Sequence, residues 1–244
     1  MFSVKQIVKT GLQRFGFQVQ RLPRSLAPGK VSVGLDPYHD MRRLTGAIVS
    51  PVVFDVGANV GQSVERIRTY FDHPVIHAFE PSPDTFEKLR RATKGISDLI
   101  LNNVALGRHA GTADFVENSE SALSSLLEFG PDSWGTVKGK IPVTVATLDA
   151  YCVENQVERI DVLKLDTQGF EMEVLRGGEN MLGQGRIGVV FMEITFSEMY
   201  KGLPSLGEIY QFMTERGFYL VAFYDFHYQN NRVGWCDAMF ASRR

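Results

Sequence analysis

The chain is predicted to fold as an α/β doubly wound domain, with a mostly parallel sheet and one reversed strand in a C-terminal hairpin. Three observations predict it. Short runs of β-forming apolar residues alternate with helical patterns from residue 52 to residue 216, the pattern of strands and crossover helices. The run Val52-Val-Phe-Asp-Val56 breaks into Gly57-Ala-Asn59-Val-Gly61 and then into helical spacing, a buried strand followed by a glycine turn. Two further β runs, 218–224 and 232–240, are joined by a polar turn with Asn230-Asn231, which suits an antiparallel pair.

Taken in order, residues 3–20 set Val4, Ile7, Val8, Leu12 and Phe15 at helical spacing among Lys5, Lys9 and Arg14. This is a short basic amphipathic helix, which either packs on the domain or rests on an anionic membrane surface or a partner. It lacks the continuous apolar core of a signal peptide. Prolines and glycines make residues 21–34 a linker, so the expected division is 1–34 for helix and linker and 35–244 for the folded domain. Asp36-Pro-Tyr-His-Asp40 leads into a helix ending near Leu44. Val64, Ile67 and Phe71 mark a helix over 62–70. Val75 to Phe79 is the second strand, ended by Glu80, and Pro81-Ser-Pro83 opens a helix through Leu89.

The third strand is predicted over 99–106, stopped by Gly107, with an extra strand over 111–116. Residues 117–140 are rich in Ser and Gly, contain Trp134 and are long enough for a functional lid. Val143 to Thr147 is a β run, with Thr147 as the cap of a helix from Leu148. Ile160 to Asp166 is the fourth main strand, followed by one helix carrying Val174, Leu175 and Leu182. The fifth runs from Ile187 to Ile194 with Glu193 at its end, and 205–216 is helical.

Composition sets the outer bounds. The 244 residues suit one large domain, 44% of them are hydrophobic, and the net charge of −2 implies no general affinity for nucleic acid. No apolar run approaches the roughly 18 residues of a membrane span. Cys152 and Cys236 stand far apart, without metal-ligand spacing, as core thiols of a reducing, cytoplasmic compartment.

The glycine turn indicates the ligand. A dinucleotide site would carry a second glycine where Asn59 stands, so that a pyrophosphate could reach the backbone. Asp55 would repel phosphate but suits an ammonium or sulfonium group, and S-adenosyl-L-methionine has both. Glu80, ending the second strand, is placed to accept hydrogen bonds from ribose hydroxyls. Right-handed crossovers bring the strand ends to one edge, where Asp55, Gly57, Asn59, Gly61, Glu80, Asn103, Asp166 and Glu193 converge. Asn103 is a candidate reader of an adenine edge.

The chain resembles the FkbM family of S-adenosylmethionine-dependent methyltransferases. The resemblance rests on Phe54-Asp-Val-Gly-Ala-Asn-Val-Gly61, Ala78-Phe-Glu-Pro81, Asn103-Val-Ala-Leu-Gly107, Thr147-Leu-Asp149, Ile160 through Glu171 and Val174-Leu-Arg-Gly177. Tyr200 with Gly202, Gly217-Phe218 and Trp235-Cys-Asp-Ala-Met-Phe240 extend it, so that it covers about residues 36–240. Gln168 stands where the family commonly has Glu. The resemblance implies the seven-strand class I methyltransferase fold, S-adenosyl-L-methionine as cofactor, and O-methylation of a sugar, glycolipid or natural-product hydroxyl.

Methyl transfer of this kind is an in-line attack of oxygen on the sulfonium methyl, accelerated by positioning and by a base that takes the proton. The candidate bases are Asp166, Glu193, His39 and His227, the two histidines being expected in loops that reach the cofactor edge. No His, Cys or carboxylate cluster has metal spacing. Two other readings compete: an NAD-linked oxidoreductase on a similar sheet, against which Asn59 counts, and a methyltransferase fold kept as a non-catalytic binding module.

Overall fold

A computed structural model describes residues 31–46 and 48–243. The basic helix expected over 3–20 and most of the linker after it lie outside the described residues. The elements below belong to one compact unit, Val33–Arg244.

Helix α1 (Pro37–Thr45) begins where Asp36 accepts hydrogen bonds from the backbone of Tyr38 and His39, with proline in the first turn. Strand β1 (Val52–Val56) and α2 (Gln62–Tyr70) flank the glycine turn. Then come β2 (Val75–Phe79) and α3 (Pro83–Ala92). The predicted third strand divides in two: β3 (Leu99–Asn102) joins the main sheet, and β4 (Ala105–Leu106) leaves it for a second sheet. There β4 lies beside β6 (Val137–Ala146), which also pairs with β5 (Gly111–Asn118). The long β5–β6 connection is therefore shorter than the predicted 117–140 and contains a single helical turn at Ser121–Leu123.

Helix α4 (Leu148–Glu154) is capped by the Thr147 side chain, as expected. After β7 (Ile160–Leu165) the single predicted helix is two short ones, α5 (Glu171–Arg176) and α6 (Glu179–Gly183). They break at Gly177, where a Cβ would lie 2.1 Å from the carbonyl oxygen of Gly107. Strand β8 (Ile187–Thr195), α7 (Leu206–Glu215), β9 (Phe218–Gln229) and β10 (Arg232–Ser242) complete the chain. Asn230 and Asn231, at the hairpin turn, both have positive φ (51° and 59°), which Asn tolerates better than most residues.

The main sheet has seven strands in the order β3-β2-β1-β7-β8-β10-β9, with only β10 reversed. This is the class I methyltransferase arrangement. Strand order switches between β1 and β7, and a ligand crevice is expected at the carboxyl end there. On one sheet face Val53, Val162, Phe191 and Met239 pack against Tyr38 and Met41 of α1, Val64 and Ile67 of α2 and Leu89 of α3. On the other, Phe54, Val56, Leu163, Met192 and Phe240 pack against α4 to α7. Both faces are covered, which is why β1 and β7 read as continuous apolar runs.

Candidate active site

At the switch in strand order the β1–α2 turn doubles back over the end of β2. The amides of Gly57 and Ala58 both donate to the carbonyl of Phe79 at 3.0 Å. Gly57 has φ +82°, and a Cβ there would stand 1.9 Å from the carbonyl oxygen of Asp166. The backbone that follows β7 thus demands glycine here, at a position that also lines the cavity described next. Gly61 (φ +99°) sits against Leu89 and Thr93 of α3, not against the sheet. Asn59 takes φ +47°, a left-handed conformation to which Asn is suited.

Beside this turn is a cleft with about 610 Å³ of space, part of it open to solvent. Phe79, Val104, Leu106, Phe115, Leu126 and Phe170 form an apolar slot, and Glu80, Asn59, Asp166 and Gln168 supply its polar groups. Glu80 is 6% exposed. One of its oxygens accepts from Asn59 N (3.1 Å), the other from Ser82 N (3.0 Å). Each carboxylate oxygen still has a lone pair for a ligand hydroxyl. Burial pushes the Glu80 carboxyl up to about 7 against the pull of those two amides. Ser121, Ala122, Ser124 and Leu126 roof the cavity, held by Ser121 Oγ to Asn59 (3.1 Å) and Ser125 Oγ to the carbonyl of Gln168 (2.8 Å). The segment expected as a lid is therefore tied down on both sides of the opening.

Four of the expected site residues lie elsewhere. Asp55 is fully buried and does not line the cavity: its carboxylate accepts from Ser63 and pairs with Lys164 Nζ at 3.0 Å. The ammonium it faces is the protein's own. Asn103 donates to the carbonyls of Glu80 (2.9 Å) and Pro81 (3.0 Å), bracing the turn after β2 instead of reading a base. His39 is not in a loop but on α1, 4.0 Å from Asp40. His227 is likewise in a strand, β9, stacked on Trp235 (centroids 4.8 Å apart, 8° between planes), which in turn meets Trp134. Neither histidine lines the cavity.

The acidic end of the edge is fuller than the sequence suggested. Asp166 lines the cavity; one oxygen lies 3.5 Å from Lys164 Nζ and the other accepts from Gln168 Nε2 at 2.9 Å. The same Gln168 amide reaches Glu193 (3.5 Å), and its oxygen accepts from the Tyr200 hydroxyl (2.7 Å). Gln168 thus ties together two of the predicted acids. Glu171 lies behind them, accepting from Thr167 N (2.8 Å) and Gly169 N (3.3 Å), and burial pushes it up to about 7. Glu193 is pushed well above its usual range by burial and then by the charges of Asp166, Glu171 and Asp237.

Sequence reasoning did not single out Lys164 or Asp237. Lys164 is a cation in the middle of an apolar β7 run, between two acids at matching strand ends; that interruption was the available signal. Asp237 becomes visible only through pairing, since β10 sets it directly opposite Glu193. Among the described residues no group of three or more His, Cys, Asp or Glu could hold a metal ion.

The family model described as a methyltransferase FkbM domain matches residues 55–220, well over half of the chain. The 2-O-methyltransferase NoeI of Sinorhizobium fredii is 28% identical over 163 residues, 62% of this chain and 66% of that protein. The hexuronic acid methyltransferase AglP of Haloferax volcanii is 28% identical over 132 residues, 54% of this chain and 51% of that protein. The chain thus spans between about half and about two thirds of the length of these relatives. Among solved structures, an rRNA methylase from Streptococcus thermophilus matches with a TM-score of 0.47 and 14% identity, over 84% of this chain and 94% of that one. The matched segment begins at the buried Asp55 and takes in the whole cavity wall from Gly57 to Gln168: the chain belongs to the FkbM methyltransferase family.

Proposed function

We propose that the chain transfers a methyl group from S-adenosylmethionine to a hydroxyl oxygen of a sugar, glycolipid or natural-product acceptor. One observation carries this reading. A single cavity joins an apolar slot beside Glu80, suited to a nucleoside, to Asp166 and Gln168 at the acidic end of the edge. The names of the relatives, a 2-O-methyltransferase and a hexuronic acid methyltransferase, support a sugar hydroxyl as acceptor.

Bound S-adenosylmethionine supplies a methyl group on a sulfonium centre. The protein's own residues do the rest. Glu80 holds the ribose hydroxyls through the lone pairs left free by Asn59 N and Ser82 N. The Phe79–Leu106–Phe170 slot takes the base ring, and the Ser121–Leu126 roof keeps water from the transfer. Asp166, paired with Lys164, orients the incoming oxygen together with Gln168. In-line positioning of this kind supplies much of the acceleration of a displacement.

The test is labelled-methyl transfer from S-adenosylmethionine to hydroxylated sugars, hexuronic acids and glycolipid extracts. Label is expected in a base-stable ether. Label in an ester or an amine product would overturn the reading. Peripheral membrane contact through residues 3–20 is proposed from the sequence stripe; co-sedimentation of the full chain with anionic vesicles at low but not high salt is its expected signature.

A further inference from the structure

Resting on that reading, one question is which group takes the hydroxyl's proton. Asp166 is poorly placed for it. Both its oxygens are engaged, one by the Lys164 ammonium and one by the Gln168 amide. His39 lies beside Asp40 on α1 and His227 is stacked on Trp235. Among the described residues neither is bonded to one that lines the cavity, whereas Glu193, itself behind the lining, meets the cavity-lining Gln168 at 3.5 Å. Two carboxylates remain, Glu193 on β8 and Asp237 on β10, and they are cross-strand partners. Directly opposed side chains in an antiparallel pair have Cβ atoms about 5 Å apart, so the two acids are near neighbours on one face of the sheet.

Their surroundings differ. Glu193 is touched by the Gln168 amide (3.5 Å) and the Thr195 hydroxyl (3.4 Å). The Asp237 carboxylate accepts no hydrogen bond among the described residues and is half-buried, open to an incoming group. The groups facing Asp237 come from every neighbouring element. They are Glu193 of β8, Asp166 at the end of β7, Glu171 of α5, Asp225 of β9 and, on the positive side, Lys164 of β7. Tyr38 of α1 also feels its charge. Two acids this close do not both ionise readily, so the pair holds one proton. The field of Lys164 favours the ionised form on Asp237, leaving Glu193 as the protonated partner that donates to the acceptor oxygen.

We propose that the acceptor hydroxyl binds between Glu193 and Asp237 and that Asp237 is the proton acceptor of the transfer. The oxygen forms its bond to the methyl carbon, the carbon–sulfur bond breaks with its electron pair remaining on sulfur, and the hydroxyl proton passes to the Asp237 carboxylate. No further reactant is needed. Burial and the surrounding acids push Asp237 up to about 7, a suitable value for a general base at neutral pH.

The experiment uses the full chain with Asp237→Asn, Asp237→Glu and Glu193→Gln. Calorimetry with S-adenosylmethionine comes first, and all three variants are expected to bind within about twofold of wild type. Labelled-methyl transfer is then followed from pH 5 to 9 with a methyl glycoside of a hexuronic acid and a panel of neutral sugars. Asp237→Asn is expected to lower kcat about 100-fold or more and to abolish the rise of kcat/KM with pH. Asp237→Glu should recover part of the rate with the limb intact. Glu193→Gln should keep the limb near its wild-type pH, because a neutral amide replaces a neutral acid and can still donate to the acceptor oxygen. An Asp237→Asn protein within threefold of wild type, with an unchanged limb, would overturn the assignment. So would a ¹³C-carboxyl resonance of Asp237, identified by its loss in Asp237→Asn, that titrates below pH 5. A wild-type protein that binds S-adenosylmethionine but methylates none of the hydroxyls would instead sink the parent reading, and this proposal with it.

Discussion

At the β1–β2 end of the sheet edge the polar groups already answer one another, whereas at the β7–β8–β10 end carboxylates outnumber their partners. Glu80 takes two backbone amides, Asn103 takes two backbone carbonyls, and the turn amides close on Phe79. Asp166, Glu171, Glu193 and Asp237 crowd the other end around a single buried cation, Lys164. The first end is a cradle whose hydrogen bonds the protein already makes among its own groups. Perturbed carboxylates gather where chemistry occurs, so on the proposed reading the contrast separates binding at the first end from reaction at the second.

Lys164 joins the two ends, and its removal should have the largest effect. Lys164→Met leaves Asp55, fully buried, without its countercharge. Breaking a buried pair from one side costs about 3–5 kcal/mol. Adding Asp55→Asn should return part of that loss. Denaturant unfolding of both proteins measures it, and a single mutant as stable as wild type would mean the pair does not join the two ends. Next comes Gly57→Ala, which forces a Cβ toward the Asp166 carbonyl and a side chain into φ +82°. A loss of about 2–4 kcal/mol is expected, together with weakened cofactor binding; a neutral substitution would show that the turn can move away from β7.

A smaller effect tests the acidic end through pH. Glu80, Glu171 and Asp237 are each held near 7 by burial, above the range of an unfolded carboxyl. The folded protein binds those protons more tightly than the unfolded chain does. This contribution to stability is fully present below about pH 4 and is lost as pH rises through 7. The melting temperature without cofactor should therefore fall between pH 5.5 and 8, by roughly 2–4 °C per kcal/mol lost. Glu171→Gln should flatten the slope. A melting temperature that rises over that window would contradict the assignment of raised carboxyls.

The same contrast explains what the sequence disclosed. The cradle end was legible because its signals are local: the Gly57–Gly61 turn and Glu80 followed by Pro81-Ser-Pro83. The doubly wound sheet with one reversed strand followed from the alternation of elements and the hairpin at Asn230-Asn231. What escaped depends on register between distant segments. Nothing in residues 99–106 announces that Ala105 and Leu106 leave the main sheet to pair with β6. Asp55 was read as facing a ligand because the sequence does not say which strand lies beside it, and that strand carries Lys164. Asp237 gains its neighbour only when β10 pairs with β8. His39 and His227 were expected in loops because capping at Asp36 and the full length of β9 were underestimated.

The claim that the β1–β2 end holds the cofactor is tested most directly by calorimetric titration of S-adenosylmethionine into wild type and Glu80→Ala. Saturable binding is expected in wild type, with no binding of NAD. Glu80→Ala should bind more weakly by about 1–3 kcal/mol, the worth of a hydrogen bond to a charged group, while remaining folded. Equal affinity in the two proteins, or NAD binding in place of S-adenosylmethionine, would contradict it.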